Sequence, residues 1–318
     1  MRNMTYNFSS GAASVGVNFT SIYPRPLVRP TNSVNAAGPA TADNATRVNY
    51  GMNESELLNA APSIFATGPD YDICSDYYVF FSTPVVLAAL REKGFAPIRA
   101  WEDESGWNSQ SAHGTHKHAV VLTRPEKVGG KATACVTMIN SHNCACYFRF
   151  YASHVNGLTG DTFITSKHGR VRHMGHDINE VLNVVDCMAS RASEINEIAE
   201  RMAGIMLTRE EQIEFARAAA DIRFEGKYAV LNPAALLTPC AGDTEAADLW
   251  SVYSVVHHNL LHGGVRVGKR ALKKIYTVDN WERINVELWE LVERTLDAHG
   301  SYGYGVECGL EKIELHLD

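Results

Sequence analysis

The chain has 318 residues, 45% of them hydrophobic and 20% charged, with a formal net charge of −7. That composition excludes a disordered or fibrous polymer and fits a globular protein of one large domain or two ordinary ones. No apolar run approaches the ~20 residues of a membrane span, and the N-terminus lacks the apolar stretch of a secretory signal, so the expectation is a cytoplasmic protein with no membrane partner.

Residues 1–60 read as a polar arm, rich in Ala, Asn, Ser, Thr, Gly and Pro, that is either flexible or ordered against another subunit. Five N-x-S/T sequons (Asn3, Asn7, Asn18, Asn44, Asn53) follow from this composition and do not by themselves indicate glycosylation. Asn53 is placed to cap a short helix to Asn59, with Glu54 in its first turn. The seven cysteines are odd in number and scattered, which suits reduced thiols better than a disulfide framework.

A β-rich core is expected over 61–176. Asp76–Phe81 (DYYVFF) reads as a strand; Ser82 or Thr83 then caps a helix through Lys93, with Pro84 near its first position and Gly94 as its stop. Strands are expected at Phe95–Trp101, His116–Arg124, Ala132–Asn140 and Cys146–Ser153, with a hairpin turn at Glu126–Lys131. Two more short strands, Asp161–Thr165 and Arg170–His173, would turn at Lys167–Gly169.

Beyond residue 177 the apolar spacing becomes helical. Helices are expected over Asp177–Met206, from a Thr208-x-x-Glu211 capping box to Phe224, over Asp243–His262 and over Trp281–His299. The fold class is therefore α+β: an antiparallel β-rich central core followed by a mostly helical region, 177–318.

The charge distribution is uneven. Between His113 and His173 there are eight Lys and Arg against two acids, Glu126 and Asp161, in a chain of net charge −7. An anionic partner is the first explanation for such an island. Arg149 stands among Tyr147, Phe148, Phe150 and Tyr151. Cations beside rings suit single-stranded nucleic acid, whose phosphates meet the charges while its bases stack. The alternative is that the rings are core and the cations merely solvated.

Eight of the thirteen histidines lie between His113 and His176. His116 and His118 share a strand face and Cys144-x-Cys146 is near them, so these four are the alternative metal ligands, although C-x-C matches no standard finger. His258 and His262 are i, i+4 on a helix, but H-E-x-x-H is absent. There is no P-loop, no G-x-G-x-x-G after a strand and no G-x-S-x-G elbow. No cofactor and no catalytic residue are expected from these patterns.

Several motifs in order carry a family resemblance. They are the helix with G-F-x-P (Val85–Pro97), Lys117-His118 with its apolar strand and Arg124, and Asn140-Ser141-His142. Asn156-Gly157-Leu158, Lys167-His168 through Arg172-His173, Leu249-Trp250 with Gly263-Gly264, and Asn285-x-x-Leu288-Trp289 follow. Over about residues 80–295 the chain resembles the phage- and plasmid-encoded domain-of-unknown-function family 932. It departs at Asn143-Cys144-Ala145, where the family has D-G-S. It departs also at Ser153-His154, near the place of R-x-x-C, and at Ser254-x-x-His257-His258, in place of N-x-x-Q-E. The resemblance implies a distant member among accessory DNA-metabolism proteins of mobile elements, and a fold compatible with ring-forming single-strand annealing proteins.

The expected function of a phage- or plasmid-encoded chain is thus ATP-independent binding and annealing of single-stranded DNA by a homo-oligomer, in recombination or replication. Lys117, Arg124, Arg149, Lys167, Arg170 and Arg172 would hold phosphates, with His173 beside them. Asn140, Ser141, His142 and Asn156 would shape a polar turn, and Tyr147 and Tyr151 would stack on bases. The competing expectations are a metal-dependent nuclease using the His/Cys cluster, and a viral structural or interaction protein.

Overall fold

A computed structural model describes residues 51–300, apart from 73, 76, 104–113, 125–130, 158, 172, 174–177, 226–231, 240–246 and 267–270. Its centre is a five-stranded sheet, antiparallel throughout, in the order β1-β2-β3-β4-β5. The strands are β1 (Ala96–Glu102), β2 (His118–Thr123), β3 (Ala132–Asn140), β4 (Phe148–Asn156) and β5 (Thr162–Val171). Each strand pairs with the next in sequence, so the sheet is a meander. Among the described residues two α-helices precede it, α1 (Glu54–Ala60) and α2 (Thr83–Glu92), and four follow: α3 (Ile178–Ala203), α4 (Arg209–Phe224), α5 (Leu249–His262) and α6 (Val278–Ala298). No helix among the described residues is long and apolar enough to cross a membrane.

The helix ends form where side chains satisfy the free backbone donors. Asn53 and Thr208 open α1 and α4 with reciprocal capping boxes to Glu56 and Glu211. Asp248 and Thr277 cap α5 and α6 by accepting from the Ser251 and Asn280 amides. Ser82 precedes α2 without a side-chain cap, and Thr83 turns its hydroxyl into the sheet. Gly94 follows α2 at φ +84°, a left-handed stop.

Alternation along the strands sorts two faces. Val120, Leu122, Val136, Met138, Phe148, Phe150 and Phe163 enter one large core with α3, α5 and much of α6. α3 supplies Val181, Val184, Val185, Met188, Ala192 and Ile195 at helical spacing. Burying each large side chain contributes about 1.5–3 kcal/mol. Met52, Leu57 and Ile64 join this core, so residues 51–60, read from sequence as the end of the arm, are packed. The same core runs across the expected boundary at 176. The opposite face carries smaller clusters: Ala119, Ile139, Tyr151 and Ile164 with Val278, and Ile98, Val121 and Cys135.

Three expectations need correction. Tyr77–Phe81 is not a strand: Tyr78, Phe80 and Phe81 turn their rings onto His173, His142 and Phe148, and Tyr77 is exposed. Asp161–Thr165 and Arg170–His173 are not two strands, because β5 runs unbroken from Thr162 to Val171. Gly169 suggests a turn in sequence, yet it is a point of close approach; a Cβ there would lie 2.4 Å from Val184 Cγ1 of α3. The cysteines are not all free either, since Cys74 pairs with Cys144 and ties the segment before α2 to the β3–β4 turn. The expected Glu126–Lys131 hairpin turn lies almost wholly outside the described residues.

Candidate functional site

A cleft of about 600 Å³ opens beside the β3–β4 turn, lined in part by Lys117, Arg149, Tyr77, Tyr147, His173 and Asp279. Tyr77 is 83% exposed and Tyr147 46% exposed. The Arg170 guanidinium lies 5.7 Å from the centroid of the Tyr147 ring, within cation–π range. Arg149 and Arg170 are cross-strand partners on β4 and β5, so they share a face of the sheet. Four of the residues expected to meet nucleic acid (Lys117, Tyr147, Arg149, His173) line this cleft, and Arg170 adjoins it.

The cations there have partners from a distant part of the chain. Asp279, in the first turn of α6, pairs with Lys117 and lies 3.8 Å from Arg149. Glu282, one turn further, pairs with Arg149 at 2.9 Å and also accepts a hydrogen bond from the Tyr151 hydroxyl. Burial and the Glu282 charge raise the Tyr151 hydroxyl above its ordinary value, so it stays a donor. Tyr151 is thereby corrected: its ring is buried and is not a stacking surface. Arg124 does not join this surface. It bonds Asp186 of α3 at 2.9 Å and covers the Phe95 ring, on the helix-packed face. Lys167 lies on β5 with its side chain outside the description, and Arg172 is outside the described residues.

Asn140, Ser141 and His142 are fully buried behind the cleft. Their hydrogen bonds can be assigned by donor counting. His118 Nδ1 faces the His116 carbonyl at 3.0 Å and must donate to it, so Nε2 accepts from the Thr83 hydroxyl at 3.1 Å. Thr83 Oγ1 has then spent its proton, and it accepts from Asn140 Nδ2 at 3.1 Å and His142 Nε2 at 3.2 Å. Asn140 Oδ1 accepts from His173 Nε2 at 2.9 Å. Burial pushes His118 down to about 4 and His142 down to about 2, helped by the neighbouring imidazoles. This network locks α2 to β2 and β3. Of its members only His173 reaches the cleft; Asn140, Ser141 and His142 are fully buried and support the cleft wall from behind. Asn156 is also buried, donating to Ser254 Oγ at 2.7 Å and accepting from the Thr159 amide.

The alternative metal set does not assemble. His118 has both ring nitrogens engaged, and Cys144 is bonded to Cys74. Cys146 Sγ donates to Ser141 Oγ at 3.4 Å, and burial raises its thiol. A different group converges elsewhere: donor atoms of Asp161, His258 and His262 all lie within 4.8 Å of one another. The i, i+4 histidines of α5 are legible in sequence. Their partner Asp161 is not, because 97 residues separate it from His258. Asp279 and Glu282 were likewise invisible as partners of the basic block: Asp279, in the first turn of α6, ordinarily reads as a capping charge, and 133 residues separate Glu282 from Arg149.

Comparison with known proteins places this arrangement in a family. The profile of the domain of unknown function DUF932 matches residues 71–298, and the chain belongs to that family. Two proteins of Escherichia coli (strain K12), UPF0380 protein YafZ and UPF0380 protein YfjQ, are each 25% identical to it over 266 residues, covering 80% of this chain and 95% of the relative. No solved structure matches.

Proposed function

We propose that this member of the DUF932 family binds single-stranded nucleic acid at the cleft between Tyr77, Tyr147 and the start of α6, in the DNA transactions of a phage or plasmid. The observation that carries the reading is the Tyr147 ring. It is exposed on the cleft, with Arg170 over it and Lys117 and Arg149 below. An exposed ring beside cations gives a base a stacking partner and its phosphate a charge, whatever the base. Asp279 is 62% exposed where it pairs with the buried Lys117. A phosphate displacing it would keep Lys117 satisfied, so the acid acts as an internal stand-in for the ligand.

The test is fluorescence anisotropy of a labelled oligodeoxynucleotide titrated with the full chain at rising salt. If about five phosphates are neutralised, log K falls against log salt with a slope near 3.5. Tyr147→Ala weakens binding by about 5- to 150-fold, the range of ~1–3 kcal/mol for one stacked base. No binding to any oligonucleotide at low salt, or binding indifferent to both salt and Tyr147, sinks the reading.

A further inference from the structure

Asp161 sits just before β5 and is almost wholly buried. Its place is set by the tight turn after β4. The Asn156 amide donates to the Asp161 carbonyl, the Gly160 amide donates to the Asn156 carbonyl, and Thr159 Oγ1 accepts from the Asp161 amide at 3.2 Å. Its carboxylate faces the C-terminal half of α5. His258 Nδ1 is 2.9 Å from Oδ2, and His262 Nε2 is 2.7 Å from Oδ1. The two imidazoles are one helical turn apart, their ring centroids 4.5 Å from each other.

Hydrogen bonding alone accounts for part of this group. Two donated protons would offset burial of one carboxylate. It does not account for His257. That side chain is fully buried, and its Nε2 lies 2.8 Å from Asn285 Oδ1. Asn285 Nδ2 donates to the Trp281 carbonyl at 2.9 Å, which fixes the amide so that Oδ1 faces the imidazole. Nε2 therefore carries the His257 proton, and Nδ1 presents a lone pair. That Nδ1 has no hydrogen-bond partner and lies 4.0 Å from Asp161 Oδ2. These two acceptors face each other at about twice the ~2.0–2.1 Å reach of a zinc–nitrogen or zinc–oxygen bond.

We propose that Asp161, His258 and His262 form a binding site for a divalent transition metal, zinc first, with His257 Nδ1 as an additional donor at its buried side. A cation there replaces the two shared protons and gives the His257 lone pair an electrostatic partner. Nitrogen and carboxylate donors in this ratio suit zinc and its borderline neighbours better than magnesium or calcium, which favour all-oxygen sets. His258 and His262 are both partly exposed, so the outer side of the ion is left open to a water ligand. The site is separate from the proposed nucleic-acid cleft. Asp161 precedes the first residue of β5, whereas Arg170 is near its last, a strand length of roughly 30 Å away.

The experiment uses the full chain with any affinity tag removed, stripped by chelator and titrated with Zn²⁺ alone by calorimetry. One equivalent is expected to bind, with a rise in melting temperature. His262→Ala should weaken binding by more than about 100-fold, a larger loss than the 10- to 100-fold seen for supporting residues. A chain that takes up no zinc at micromolar concentration overturns the proposal, as does a folded His262→Ala chain that binds it undiminished. Should that variant not fold, the Co²⁺-loaded native chain decides. Ligand-field bands without sulfur-to-metal charge transfer support the histidine–carboxylate set, and charge transfer places the ion on cysteine and overturns it.

Discussion

Asp279 in the first turn of α6 holds Lys117 at the threshold of β2, although 162 residues separate them in the chain. The lysine is almost fully buried and the acid is largely exposed, so the pair presents a replaceable carboxylate above a fixed ammonium. Asp279→Asn removes the competing charge from the cleft and also relieves Arg149 of one of its two acids. Oligonucleotide affinity at low salt should rise roughly 3- to 10-fold, with the gain shrinking as salt is added. Asparagine keeps an acceptor for Lys117 but not the counter-charge of this buried ammonium, so the stability cost should be about 1–3 kcal/mol. Anisotropy titrations and urea melts of the variant check both numbers, and unchanged or weaker binding contradicts the stand-in role of Asp279.

The buried imidazoles give the fold an acid sensitivity. His118 falls to about 4 and His142 to about 2, against 6.5 for the ordinary imidazole, because burial and the imidazoles around them, including His173, oppose the charge. The unfolded chain therefore binds more protons than the folded one once the pH drops below about 6.5. Stability is full above that pH and declines on acidification. The His118 contribution is lost by about pH 4 and that of His142 continues to fall below it. Each costs up to ~1.4 kcal/mol per pH unit in its window. Thermal melts should show a clear drop in Tm between pH 7 and pH 5; a flat profile there means that these histidines are not held neutral.

Gly169 leaves the space that Val184 of α3 occupies. Gly169→Ala should destabilise the protein by about 1–3 kcal/mol through overpacking. Val184→Ala opens a cavity and is itself destabilising, by about 1–3 kcal/mol. Combined, the two should cost less than their sum, because the new methyl fills the vacated volume. Additive losses in denaturant melts would show that the close approach is not what selects glycine.

Asn156 tests the difference between a wall and a contact. It is buried against Ser254 and the Thr159 amide. Asn156→Ala should lower stability by about 1–3 kcal/mol by leaving polar groups unpaired, while oligonucleotide affinity of the folded fraction stays within about twofold. A selective loss of binding with normal stability would return Asn156 to the ligand surface.

Much of the architecture is written locally. Thr208 and Glu211 open a helix because their side chains satisfy the free amides of the first turn, a relation complete within four residues. Ala132–Asn140 has the bounds its alternation predicts, and α3 follows from the spacing of Val181, Val185 and Met188. The basic block, the i, i+4 pair His258 and His262, and the order of motifs that marks the family are equally legible in sequence.

Which of those residues meet solvent is decided only in three dimensions. Sequence shows that Arg149 is a cation; it does not show that Glu282, 133 positions on, neutralises it. Nor does it show that Tyr147, just before β4, stands in the open while Tyr151, within β4, spends its hydroxyl on that same glutamate. The reason is physical. Secondary structure follows from interactions a few residues long, whereas a charge or a ring acquires its role from whatever the packed chain brings to it. Asp161 meets His258 and His262 only because the β4–β5 turn comes to rest against the end of α5.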